Sequence, residues 1–173
     1  MLFFGKTLAH AGMIEGREVT CFPSYGAEVR GGTANCTVIL SNALIGSPVV
    51  TRPDILIVMS DASLNKFLPQ LNQNGILCFD SSLIKEPIPR TDIEIVGIPA
   101  TDISSRIGDT KSANMVMLGG WIAKTGIIHK ESALQAVESS MNGKKKNLID
   151  NNKKAILEGM KYLENKKGKD IRS

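Results

Sequence analysis

The spacing of hydrophobic positions changes several times along the chain, and each change marks an element. Leu2 to Ile14 has helical composition, and Gly16 follows as a stop signal. Val19 to Phe22 reads as a short strand, and Thr33 to Ser41 is β-rich again through Thr37, Val38, Ile39 and Leu40. Ser41-Asn42 makes a turn, after which Leu44 to Val50 is expected to pair back as a hairpin arm. Asp54 to Met59, DILIVM, is a continuous apolar run, the pattern of a strand buried on both faces of a parallel sheet. Ser60-Asp61 caps a helix over Ala62 to Leu71, with Leu64, Phe67, Leu68 and Leu71 on one stripe. Asn74-Gly75 ends that helix, and Ile76 to Phe79 and Ile93 to Ile98 are further buried strands. This β–α–β order implies a right-handed crossover and a sheet covered by helices on both faces.

The remainder reads as helical. Thr101 to Ile107 starts after Pro99, and Lys130 to Met141 forms another helix. Ser112 to Thr125 carries small residues at Ala113, Gly119, Gly120 and Ala123, which suit close approach to another backbone. Asn147 to Glu164 sets Ile149, Ile156, Met160 and Leu163 against a lysine-rich face, after a connector over Asn142 to Lys146. A chain of 173 residues is expected to form one domain.

Composition narrows the function classes. With 42% hydrophobic and 22% charged residues and no long uninterrupted apolar run, a membrane span is not expected. No signal-peptide order is read at the N-terminus, so the expected location is cytoplasmic. The three cysteines, Cys21, Cys36 and Cys78, form no C-x-x-C, and neither His10 nor His129 has a ligand-like partner nearby. No metal site is expected in this chain. The net charge of +4 comes mainly from C-terminal lysines, and aromatic residues make up only 5%. A solvated helix face explains those lysines better than nucleic-acid binding, because a stacking platform is lacking.

One stretch fits neither strand nor helix. Between the first two strands stands Ser24-Tyr25-Gly26-Ala27-Glu28-Val29-Arg30-Gly31-Gly32. Its glycines permit close backbone approaches, and exposed N–H groups in such a loop bind anionic oxygens. Arg30 adds a planar fork suited to carboxylate or phosphate. Residue chemistry alone leaves two readings: a structured turn held by a Glu28–Arg30 pair, or a binding loop for an anionic ligand or a partner protein. Neither a P-loop nor a dinucleotide fingerprint is present.

PSYGAEVRGGTANCTVILS, followed by GSPVV and PDILIVMS, resembles the gamma subunit of 2-oxoacid:ferredoxin oxidoreductases. The 2-oxoglutarate and ketoisovalerate types are the nearest in pattern, and the corresponding domain of pyruvate:ferredoxin oxidoreductase carries a similar loop. The resemblance extends more loosely through NMVMLGGW at Asn114 to Trp121. It implies an α/β fold of three layers, α/β/α, with a mostly parallel sheet, a β-hairpin and a helical C-terminal part, Lys-rich over 142–173. It implies a subunit that is not catalytic alone and works with alpha, beta and delta subunits and, through them, ferredoxin. Thiamine diphosphate, magnesium and iron–sulfur clusters belong to the holoenzyme, with coenzyme A as co-substrate. The site residues it implies are Tyr25, Gly26, Glu28, Arg30, Gly31 and Gly32, at a ligand or subunit interface. Lys6 and Asn114 are further candidates for contact with an anion. Family members usually open with a strand and a G-x-G-G-Q-G loop before a helix containing Gly-Lys. Gly5-Lys6 match that helix, whereas the strand and loop have no counterpart here. An open sheet edge or an apolar gap is therefore expected. The alternatives carried alongside are a stand-alone protein binding coenzyme A or a nucleotide, and a nucleic-acid binder using the basic tail. A homodimer is one expected state of the isolated chain.

Overall fold

The structure, a computed structural model, describes residues 1–24, 33–141, 143 and 146–170. Helix α1 (Leu2–Ile14) leads into strands β1 (Glu18–Ser24) and β2 (Asn35–Ser41). There follow β3 (Ile55–Val58), α2 (Asp61–Phe67), β4 (Ile76–Asp80) and β5 (Glu94–Ile98). Four further helices follow among the described residues: α3 (Ala100–Ile107), α4 (Ala113–Thr125), α5 (Lys130–Ser140) and α6 (Lys146–Asp170).

The described strands form two separate sheets. β1 and β2 form an antiparallel pair, from Glu18 opposite Ser41 to Ser24 opposite Asn35. β3, β4 and β5 form a parallel sheet in that order, with Cys78 between Ile57 and Val96. Strand alternation divides the side chains of the parallel sheet between two cores. Ile55, Ile57, Ile76, Cys78, Val96 and Ile98 face the core built by α1, α3, α4, α5 and α6. Leu56, Val58, Leu77 and Phe79 face the smaller core with Leu64, Leu68 and Leu71. The central strand is therefore covered on both sides, and Leu77 and Cys78 are fully buried. These are the three layers and the helical C-terminal part that the sequence implies.

Ser60 caps α2 as expected, its Oγ accepting from the Ser63 N–H at 3.3 Å. The helix expected over 62–71 shortens into a 3₁₀ turn at Leu68–Gln70, because Pro69 brings no N–H for an α-helical bond. One expectation is overturned. Leu44 to Val50 is not a hairpin arm: β2 pairs with β1 instead, across the residues between them. Pro48 cannot donate to a ladder, and side chains take over local bonding. Ser41 Oγ accepts from the Ala43 N–H and Ser47 Oγ from the Val49 N–H, leaving Leu44 and Val49 strongly exposed.

Bare glycine backbones set the closest packing. A Cβ on Gly119 of α4 would stand 1.9 Å from the Ile156 carbonyl oxygen of α6. One on Gly159 of α6 would stand 2.0 Å from the Val116 carbonyl oxygen. The small residues of α4 thus serve the close approach that the sequence suggests.

Candidate functional site

The hairpin is held by α1. Gly12 lies against Leu40 and Val19, and Gly5 lies against Cys36 and Val38. Alternation then turns Phe22 away from α1, and 61% of its surface is exposed. The far end of α1 is tied to the α4–α5 connection: Arg17 donates to the Ile127 carbonyl at 2.7 Å, and the His129 N–H donates to Glu15 at 2.7 Å. These bonds fix α1, and α1 fixes the hairpin. Tyr25, Gly26, Glu28, Arg30, Gly31 and Gly32 lie outside the described residues. Their place in the chain is nonetheless defined by the last pair of the hairpin, Ser24 and Asn35, because they belong to the segment joining the two strands.

The other two candidates sit on separate helices. Lys6 is exposed on α1 next to Gly5, and its charge acts on Cys36. Asn114 stands in the first turn of α4 with its Oδ1 buried and without a partner among the described residues.

Between the two sheets lies a cleft of about 510 Å³. Residues 34–40 wall it on the hairpin side and 53–59 on the parallel-sheet side, so the free edges of β2 and β3 face one another across it. Met1, Phe4, Gly5 and Leu8 of the α1 region and Trp121 of α4 form its floor. Trp121 is 3% exposed, yet its indole Nε1–H has no acceptor among the described residues. Burial lowers the pKa of the Met1 amine below its ordinary value, partly offset by Cys36. Among the described residues the lining has no lysine or arginine, and Asp54 is its one charged side chain.

Two arrangements escape sequence reasoning. Asp80, fully buried at the C-terminal end of β4, accepts from Thr101 Oγ1 at 2.6 Å, the Thr101 N–H at 3.2 Å and the Ser82 N–H at 3.0 Å. Its nearest signal is Asp80-Ser81-Ser82, a polar cluster just after an apolar run, but Thr101 lies 21 positions on. A second hollow of about 400 Å³ gathers Arg106, Lys154, Lys161 and Tyr162 with Glu158 between α3 and α6. The sequence shows the α6 lysines but not their meeting with Arg106.

Comparison with known proteins bears directly on this architecture. The profile of the pyruvate ferredoxin/flavodoxin oxidoreductase family matches residues 1–162. The chain belongs to that family. Within it, the ketoisovalerate oxidoreductase subunit VorA of Methanothermobacter thermautotrophicus is 36% identical over 164 residues, which are 94% of this chain and 34% of that protein. The chain thus spans about a third of the length of the VorA relatives. The 2-oxoglutarate synthase subunit KorC of Methanocaldococcus jannaschii is 33% identical, and 85% of each chain is covered. Among solved structures, the gamma subunit of a keto/oxoacid ferredoxin oxidoreductase from Geobacter sulfurreducens superposes with a TM-score of 0.79 at 26% identity, covering 92% of this chain and 89% of that one. A 2-oxoglutarate:ferredoxin oxidoreductase from Magnetococcus marinus, solved with 2-oxoglutarate, coenzyme A and succinyl-CoA bound, shares the fold at a TM-score of 0.81 and 20% identity, over 91% of this chain and 27% of that one. This family's members thus occur both as a chain of about this length and as one part of a longer polypeptide.

Proposed function

We propose that this member of the family is the gamma subunit of a multi-subunit 2-oxoacid:ferredoxin oxidoreductase. The complex would decarboxylate 2-oxoglutarate or a branched-chain 2-oxoacid, form an acyl-CoA and pass the electrons to ferredoxin. The observation that carries this reading is the family match over residues 1–162, which takes in the hairpin and the segment that joins its strands. The exposed apolar side chains Phe22, Leu44 and Val49, on the hairpin and just after it, support a face that other subunits cover. Alpha, beta and delta subunits are the partners in this reading, and they hold the thiamine diphosphate, magnesium and iron–sulfur clusters. This chain's contribution is positional. Arg30, with the glycines around it, meets a carboxylate or phosphate of coenzyme A or of a neighbouring subunit, while Glu28 orients Arg30 and Tyr25 supplies apolar contact. Lys6 and Asn114 are secondary anion contacts. The cytoplasm is the compartment this chemistry implies.

The test is co-expression with the other subunits and the substitution Arg30→Ala. Acyl-CoA formation is expected to fall at least tenfold while the subunits still co-purify; unchanged activity and assembly would remove the role given to Arg30. Calorimetry with coenzyme A on the isolated chain separates this reading from a stand-alone binder. Heat from tight binding would favour the stand-alone reading, whereas the gamma-subunit reading expects none.

We further propose that the cleft between the sheets is completed by one extended apolar strand, bonded to β2 on one side and to β3 on the other. Two facing free edges, an unpartnered indole N–H and an apolar floor support this reading. A strand joined ahead of Met1 enters directly, since Met1 lines the cleft.

A further inference from the structure

Cys21 and Cys36 lie on adjacent strands of the hairpin with their sulfurs 3.6 Å apart. Cys21 pairs with Val38 and Cys36 with Pro23, so the two thiols are diagonal neighbours two positions out of direct register. Both sit on the face turned toward α1, and both are only partly buried. Gly5 makes room for Cys36, since a Cβ there would stand 2.6 Å from its sulfur. A disulfide needs its sulfurs at about 2.05 Å. Closing the gap requires a movement of roughly 1.5 Å, within reach of side-chain torsion and slight strand adjustment.

We propose that Cys21 and Cys36 form a reversible disulfide that cross-links the two strands of the hairpin. The oxidant belongs to the peroxide class. The thiolate of one cysteine attacks one peroxide oxygen, the O–O bond breaks, and the sulfur, oxidised by two electrons, becomes a sulfenic acid as hydroxide leaves. The other sulfur then attacks that sulfenic sulfur, the S–OH bond breaks, and the hydroxyl leaves with the second thiol's proton as water. A small dithiol reverses the step by exchange, taking up the disulfide itself. Burial, and then the contact with Cys21, push the Cys36 thiol up to about 12. Cys78 takes no part, being fully buried between the two cores.

This inference does not depend on the oxidoreductase reading, because the isolated chain suffices for its test. The purified protein is treated with a few equivalents of hydrogen peroxide, alkylated and digested for mass spectrometry. The expected result is a Cys21–Cys36 cross-linked peptide, a fall from three titratable thiols under denaturant to one, and full recovery with dithiothreitol. Cys21→Ser and Cys36→Ala should each remove the cross-link; should either variant fold poorly, the wild-type peptide map alone still decides. Irreversible sulfinic acid on either cysteine without a cross-link would overturn the proposal, as would two thiols that stay independently alkylatable.

Discussion

At the scale of single residues, the buried polar groups carry the clearest consequences. Asp80 is enclosed, and its carboxylate is met by two N–H groups and the Thr101 hydroxyl. Together these bonds fasten the end of β4 to the start of α3. Asp80→Ala would strand three donors, and each buried donor left without a partner costs about 1 kcal/mol or more. A loss of roughly 3 kcal/mol of folding stability is expected, read as a lower midpoint in a urea titration with unchanged slope. Cys78 gives a pH dependence. Burial raises its thiol from the ordinary value of 9 to about 12. Below pH 9 the folded and unfolded chains both keep this proton, so its stabilising effect is fully present there. As pH rises from about 9 to about 12 the unfolded chain loses the proton first, and stability falls. Melting curves over that range should decline more steeply for wild type than for Cys78→Ala. Parallel slopes would show that Cys78 does not titrate in this way.

At the scale of elements, α4 and α6 cross so closely that carbonyl oxygens occupy the space of absent Cβ atoms. Gly119→Ala and Gly159→Ala each place a methyl about 2 Å from a backbone oxygen, which neither helix can turn aside as a side chain would. Each should cost about 3 kcal/mol or more, beyond ordinary overpacking. Gly126→Ala, at the positive-φ end of α4 with open space around it, should cost only about 1 kcal/mol of backbone strain. The same elements show what the sequence makes legible. The apolar runs of β3 and β4 and the small-residue run of α4 declare their surroundings locally, through period and residue size. Leu44 to Val50 looks equally apolar, but strand pairing is a choice between distant edges, and β1 wins it through a segment that no local pattern describes. The Asp80–Thr101 node is hidden for the same reason: its partners meet only after two strands have packed. The loop over 25–32 is the converse case, conspicuous in sequence by its chemistry while its contacts lie outside the described residues.

At the scale of the whole molecule, the described strands divide into two sheets. Two free strand edges facing one another across an apolar cleft leave N–H and C=O groups without ladder partners, a liability that folded proteins usually cover. The α1 helix bridges the sheets below the cleft, through Phe4 and Leu8, but it cannot supply ladder bonds. If one extended strand completes the fold, then supplying it should join the two sheets into one. A chain carrying an alternating-apolar strand of about six residues and a glycine-containing turn ahead of Met1 is the direct trial. Two or three inward side chains would be buried, at about 1.5–3 kcal/mol each before the entropy of ordering the strand. The melting temperature should rise by roughly 5–15 °C. Amide exchange should slow along both Cys36 to Leu40 and Ile55 to Val58, the two walls of the cleft. Slowing on one wall alone would mean that the strand adds to a single edge and the sheets remain apart. A control strand with charged residues at the inward positions should give neither effect, because the cleft offers those charges no partner but Asp54 among the described residues.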